Sequence, residues 1–152
     1  MAPTDWPLVD TRRRGELAKT AQYLLRHHGF DIAADGIVGP LTDAAIRDFQ
    51  KSHDLAVDGV VGNDTWPVLI VQVEQGSSGD AVRAAQGQLR LRNLAETKDL
   101  AVDGDFGPAT DAGVRAFQQA LNDHNYLTTD VDGVVGPVTW YALVANFLGP
   151  DV

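Results

Sequence analysis

The pentapeptide Asp-Gly-Val-Val-Gly, DGVVG, stands at residues 58–62 and again, unchanged, at 132–136. Near copies, DGIVG at 35–39 and DGDFG at 103–107, complete a set of four in 152 residues. Asp bonds its side chain to backbone N–H groups two or three residues on, and Gly accepts the positive φ that closes such a turn. The apolar fourth residue (Val38, Val61, Phe106 or Val135) is then poised to enter a core, and the last Gly releases the chain into a helix. Each motif therefore reads as a helix-to-helix connector. Its structural residues are Asp35, Gly36 and Gly39, then Gly59 and Gly62, then Asp103, Gly104 and Gly107, and finally Gly133 and Gly136.

The sequence around the motifs repeats as well. GPLTDAAIRDFQ (39–50) lies over GPATDAGVRAFQ (107–118) at an offset of 68, and VDGVVGNDTW (57–66) over VDGVVGPVTW (131–140) at 74. Upstream, Gly15 and Gln22 match Gly79 and Gln86 at 64. The growing offset means that the second copy carries extra residues, four before DGDFG and six before its DGVVG, and insertions at those points belong on loops. The chain thus divides into a lead-in at 1–11, expected to be loosely ordered, one module at 12–72 and a second at 76–148.

Within each module the periodicity is helical. TAQYLLRHH (20–28) and DAVRAAQGQLRLR (80–92) place apolar residues at three- and four-residue spacing, with Ser78 or Asp80 able to cap the second. Pro40 and Pro108 suit the first position of a second helix, where no N–H is needed. Ile46 with Phe49, and Val114 with Phe117, give that helix one apolar face. Third helices follow at DTWPVLIVQV (64–73) and VTWYALVANFL (138–148). The expected fold is all-α: two tandem three-helix modules joined by Asp-Gly turns, each with an approximate internal twofold.

Composition narrows the function. Twelve Lys and Arg against 21 Asp and Glu leave a net charge of −9, which opposes nucleic acid, anionic membrane surfaces and polyanionic wall polymers. With no cysteine there is no thiol catalysis, disulfide or Cys-based zinc site. No apolar run reaches the length of a membrane span, so no membrane insertion is expected, and residues 1–30 hold no hydrophobic signal core. QGSSGD (75–80) lacks the Gly-x-Ser-x-Gly spacing of a nucleophile elbow. His27, His28, His53 and His124 show no metal-ligand spacing and read as surface residues. DVDG at 130–133 begins like a calcium loop, but Val134 and Tyr141 fall where oxygen ligands are required. The Arg12–Arg14 run reads as a solvated helix start. No metal, no cofactor and no catalysis are expected.

Taken together, GSSGDAV, VDGDFGPATDAGVRAFQ and VDGVVGPVTW in the second module, with DGIVGPLTDAAIRDFQ and VDGVVGNDTW in the first, resemble the peptidoglycan-binding domain family. Module one departs by holding Arg12–Arg14 where the family has a Gly-Ser turn, and module two by its helical Gly87 and Gly113 and the insertion NDHNYLTTD. The resemblance implies small three-helix modules that bind the stem peptides or glycan of peptidoglycan without catalysis, in the cell envelope. Lacking a visible export signal, the chain is also compatible with a cytoplasmic or phage-released form. A wall hydrolase or a particle protein is the implied protein partner, and a structural adaptor on a phage or tail-like assembly is the alternative function, as is the detached binding half of a wall hydrolase.

The ligand chemistry of the turns suggests where binding occurs. Stem peptides carry carboxylates, and a helix N-terminus offers unpaired N–H groups with partial positive charge. Residues 63–65 and 137–139 begin the third helices beside an Asp-Gly turn. The candidate ligand residues are Asp58, Asn63 and Thr65 in module one and Asp132, Thr139 and Tyr141 in module two. Trp66 and Trp140, at identical places, read as core; Trp6, Tyr126 and Tyr141 are the candidates for exposed aromatics.

Overall fold

The computed structural model describes residues 5–150. Six helices follow in order: α1 (Glu16–His27), α2 (Pro40–Ser52), α3 (Trp66–Leu69), α4 (Asp80–Arg90), α5 (Pro108–Asp123) and α6 (Pro137–Val144). Among the described residues extended pairing is confined to four isolated antiparallel bridges: Val9 with Val61, Arg14 with Ile37, Val73 with Val135, and Ser78 with Asp105. The architecture is all-α, as the repeat implies.

Local rules account for the helix starts. Pro40, Pro108 and Pro137 open α2, α5 and α6, each after a glycine in extended conformation. α1 and α4 start instead after Gly15 and Gly79, at φ of 101° and 105°, with no side-chain cap. Neither Ser78 nor Asp80 caps α4: Ser78 is held in its bridge to Asp105, and Asp80 lies inside the first turn. The four turn glycines Gly36, Gly59, Gly104 and Gly133 take φ of 78°, 72°, 79° and 75°. The plugs Val38, Val61, Phe106 and Val135 are all buried. Trp66, Trp140, Phe49 and Phe117 are the largest fully buried side chains, two to each module.

The lead-in departs from expectation. Residues 1–4 lie outside the described residues, but Trp6 and Val9 are buried. Trp6 stacks on Trp66 at 6.1 Å, Trp66 Nε1 donates to the Pro7 carbonyl at 2.7 Å, and Val9 exchanges two backbone hydrogen bonds with Val61. Apolar burial of a Trp and a Val outweighs the ordering cost that Pro7 already reduces. Helix three of module one is correspondingly shorter than 64–73. It ends at Leu69, and Ile70 turns extended. Val71 then accepts from Trp140 Nε1 at 2.7 Å and Val73 pairs with Val135. Residues 70–73 thus do for module two what residues 6–9 do for module one.

The two modules share one body. The most extensive helix pairing joins α1 to α4, with Gln88 donating to the Thr20 hydroxyl at 2.8 Å and Arg26 paired with Asp80 at 3.2 Å. α4 is buried nearly all round because one face meets its own module and the other meets α1. Gly87, costly in a lone helix, sits here against the Glu16 side chain. Gly113 likewise lets the segment around Glu96 and Thr97 cross α5, where an added Cβ would stand 3.3 Å from the Glu96 carbonyl.

The six-residue insertion before the last turn does not fall wholly on a loop. α5 has 16 residues where α2 has 13, so half of it lengthens the helix. A helix that already ends in solvent extends at little cost.

Candidate functional site

Each Asp-Gly turn is organised by a buried glutamine from the preceding helix. In the last turn Gln118 donates to Asp132 Oδ1 at 3.1 Å, the Val134 carbonyl at 3.0 Å and Thr139 Oγ1 at 3.2 Å. Its Oε1 accepts from the N–H groups of Asp132 and Gly133. Gln22, Gln50 and Gln86 repeat this with Asp35, Asp58 and Asp103 and with Thr42, Thr65 and Thr110. The glutamines are nearly or fully buried, so the turn's backbone groups are satisfied away from water. Periodicity alone had given these glutamines no role. The available signal was that a Gln recurs at matched positions of the two modules, 22 with 86 and 50 with 118, each in the helix before an Asp-Gly turn.

In every turn the Asp caps the N–H two residues on: Ile37, Val60, Asp105 and Val134 at 2.9–3.0 Å. The N–H of Ile37, then the Gln22 amide, hold the Asp35 carboxyl below the usual carboxylate range. The N–H of Asp105, then the Gln86 amide, do the same for Asp103.

The candidate ligand residues fare differently. Thr65 and Thr139 are buried, each 3% exposed, and their hydroxyls accept from Gln50 and Gln118. Their hydroxyls are engaged inside the network, because a hydroxyl beside a buried amide satisfies that amide, while Thr139 also borders a groove at the start of α6. Asn63 is exposed, yet its Oδ1 accepts from the Trp6 N–H at 2.7 Å and so fastens the lead-in. Tyr141 is half-buried; its hydroxyl donates to the Asp5 carbonyl at 3.3 Å and its ring meets Trp6 edge-on. Trp6 is therefore core and not an exposed aromatic. Asp58 and Asp132 remain exposed at the turn surface. Trp66 and Trp140 are core, and Tyr126 is exposed. His28 is half-buried rather than superficial, and Arg12–Arg14 precede α1 instead of opening it.

A groove is present at the turn of module two. About 200 Å³ lies between Gln72, Thr129, Asp130 and Asp132 on one side and the start of α6, Gly136–Thr139, on the other. The Asp132 carboxylate meets the amino end of α6 there, so the groove joins negative charge to a positive helix end. In module one the residue equivalent to Gln72 is Leu8, 52% exposed, whose Cδ2 would lie 3.1 Å from a Cβ at Gly62. An apolar side chain thus crowds the corresponding helix start, which itself begins a helix of only four residues. The two modules are alike in fold and unlike at this surface. Among the described residues no group of His, Cys, Asp and Glu is arranged to hold a metal ion.

Comparison with known proteins agrees with the architecture. The chain belongs to the peptidoglycan-binding domain family: the family described as "Putative peptidoglycan binding domain" matches residues 14–69 and again 78–143. Among curated proteins it is 36% identical over 102 residues to a zinc D-Ala-D-Ala carboxypeptidase of Streptomyces albus G, covering 66% of this chain and 36% of that protein. It is 41% identical over 71 residues to a protein encoded in the bpoA1 3' region of Kitasatospora aureofaciens, covering 47% of this chain and 53% of the relative. The chain therefore spans about a third to a half of these relatives. A solved peptidoglycan-binding protein from Clostridioides difficile, in complex with glutamine hydroxamate, is 32% identical with a TM-score of 0.41, covering 41% of this chain and 40% of that one.

Proposed function

We propose that the chain binds bacterial cell-wall peptidoglycan without catalysis, with the groove of module two receiving the stem peptide. The observation that carries this reading is the groove itself, on a chain of two peptidoglycan-binding modules. The amino end of α6 attracts a stem-peptide carboxylate, and the Asp132 carboxylate suits an ammonium group beside it. Module one, crowded by Leu8 at the start of α3, also supplies the rigid support that fixes α4. The cell envelope is the corresponding location, and peptidoglycan the principal partner.

The likeness to a zinc D-Ala-D-Ala carboxypeptidase favours a second reading in the same class, in which the two modules are the wall-binding part of a hydrolytic system whose catalytic domain lies elsewhere. No observation favours docking on a phage or tail-like particle over these two. The deciding experiment is co-sedimentation of the full chain with purified sacculi against an acidic control protein of similar size. Retention above the control is expected. Equal recovery in the supernatant for both proteins sinks the proposal.

A further inference from the structure

The six residues that module two carries and module one lacks build a surface of their own. Three lengthen α5, and three lie between Tyr126 and Asp132, where Leu55 and Asp58 are only three apart. Both helices finish in the same way. Asp54 and Asn125 take φ of 57° and 56°, and the next N–H, of Leu55 or Tyr126, returns to the Gln50 or Leu121 carbonyl. The residue at that return normally covers the helix end, and Leu55 and Phe30 do so half-buried. Tyr126 does not. It is 53% exposed, because Leu127, at 8%, takes the place in the core.

The exposed ring is nevertheless fixed. It lies 5.6 Å from Phe147 and runs parallel to His124, at 6.0 Å and 8°. The Asn122 amide grips the far end of the loop, donating to the Thr129 carbonyl at 2.8 Å and accepting from the Thr129 N–H at 2.9 Å. Beside the ring is a depression of about 340 Å³ lined by Asn122, Asn125, Tyr126, Leu127 and Thr128. That size is at the low end of the ~300–1,000 Å³ usual for ligand sites.

The lining is an aromatic ring with amide and hydroxyl groups and no charged side chain. Such a set matches a neutral ligand with one apolar face and a polar edge. A charged anion is opposed by Asp123 and Asp130 on either side and by the net charge of −9. A purely apolar ligand would cover the exposed Asn125 amide and Thr128 hydroxyl without giving them partners. We propose that this loop is a carbohydrate platform: the apolar face of an N-acetylated amino sugar stacks on Tyr126 while its hydroxyl and acetamido groups bond Asn125 and Thr128. The reading rests on wall binding as proposed above and extends it from the stem peptide to the glycan. Thr129 and Asp130, the next residues of the same loop, line the groove beside α6. A sugar on Tyr126 therefore sits next to where its peptide branch would enter.

The test is a titration of the ¹⁵N-labelled full chain with a β-1,4-linked N-acetylglucosamine tetramer, followed by amide NMR. Saturable shifts are expected at Asn125, Tyr126 and Thr128, with Leu55 and its neighbours in module one silent. Tyr126→Ala should weaken binding by about tenfold while Tyr126→Phe keeps it, because the ring and not its hydroxyl forms the platform. Absence of saturable shifts at residues 122–128, or unchanged affinity in a folded Tyr126→Ala variant, overturns the platform. If Tyr126→Ala fails to fold, the shift map of the unaltered chain decides alone. Retention on sacculi without an oligosaccharide response removes the platform and leaves wall binding standing. An oligosaccharide response at Tyr126 without retention on sacculi keeps the platform and removes the wall-binding reading.

Discussion

His28 and Arg92 hold the same position in the two modules, and each binds the carboxyl end of its module's last helix. His28 Nε2 stands 2.9 Å from the Leu69 carbonyl at the end of α3. Arg92 donates to the Leu143 carbonyl at the end of α6 at 2.7 Å, and also to the carbonyls of Phe147 and Gln88. A positive or N–H-bearing group at a helix C-terminus satisfies carbonyls that have no partner in the helix. One module answers that need with a ring whose charged form burial disfavours, and the other with a guanidinium that stays charged.

The difference predicts how the chain responds to acid. Burial, the largest influence, lowers the His28 pKa from 6.5; the Leu69 carbonyl opposes this, and His27 and His53 add to the lowering. The folded state therefore binds fewer protons than the unfolded one just below pH 6.5, and stability falls as pH falls. Asp35 and Asp103, lowered from 3.8, lose their contributions at more acid pH as their carboxylates protonate. Melting temperature should drop in two stages on acidification, the first absent in His28→Asn. A first stage that persists in that variant assigns it to another group.

Arg92 is deeply buried with its pKa pushed down to about 10 by desolvation, so it stays charged at neutral pH. Its guanidinium lies over the Phe117 ring at 5.2 Å. Arg92→Met keeps much of the volume but removes the guanidinium's bonds to the carbonyls of Gln88, Ala142, Leu143 and Phe147 and to the Gln88 side chain. A loss of about 2–4 kcal/mol in denaturant unfolding is expected.

The glutamine networks give the largest single-residue effect. Gln118→Leu leaves the N–H groups of Asp132 and Gly133 and the Val134 carbonyl without their partner. Chemical denaturation should register a loss of about 2–5 kcal/mol. Thr139→Val removes one acceptor from the same network and should cost about 1 kcal/mol, with sacculus affinity changing only as far as the folded fraction does.

Glycine substitutions separate turn from helix. A Cβ at Gly59, φ 72°, would lie 2.7 Å from Arg47 and 2.8 Å from Asp43 side-chain atoms. Gly59→Val should cost at least about 1–2 kcal/mol from left-handed backbone strain alone. Gly87→Ala meets only the flexible carboxylate end of Glu16, and the gain in helix propensity of about 1 kcal/mol offsets its displacement. A thermal melt near that of the unaltered chain is expected for Gly87→Ala, and a clearly lower one for Gly59→Val.

The groove can be closed and opened by exchanging one pair of side chains. Gln72→Leu installs in module two the apolar residue that crowds module one, and should weaken sacculus retention with little change in melting temperature. Leu8→Gln should leave retention unchanged or raise it. Weakening by Leu8→Gln at constant stability would show that module one carries the contact.

The repeated DGVVG and its relatives were enough to read the helix order, the positive-φ glycines and the four apolar plugs, because each follows from local chemistry. What stayed hidden depended on partners distant in sequence. Trp6 could not be assigned to the core without knowing that Trp66 lies beneath it, nor Thr139 removed from the surface without Gln118 above it. The groove was legible only as a place, the start of the third helix. The difference between the two third-helix starts turns on Leu8 and Gln72, which belong to segments that carried no signal of their own, while the first turn of module one keeps a smaller groove of about 160 Å³ at the start of α2.

The kinship between residues 6–9 and residues 70–73 fixes where the chain can be cut. The repeating unit runs from a buried extended segment through the last helix, roughly 6–69 and 70–148, so each module's opening piece directly continues its predecessor's end. Truncation at residue 76 would strip Trp140 of its carbonyl partner and Val135 of its bridge; truncation after Leu69 would spare both. Read this way, the array grows head to tail like masonry in which every course rests its first brick on the one laid before, and a further unit could be added without designing a linker.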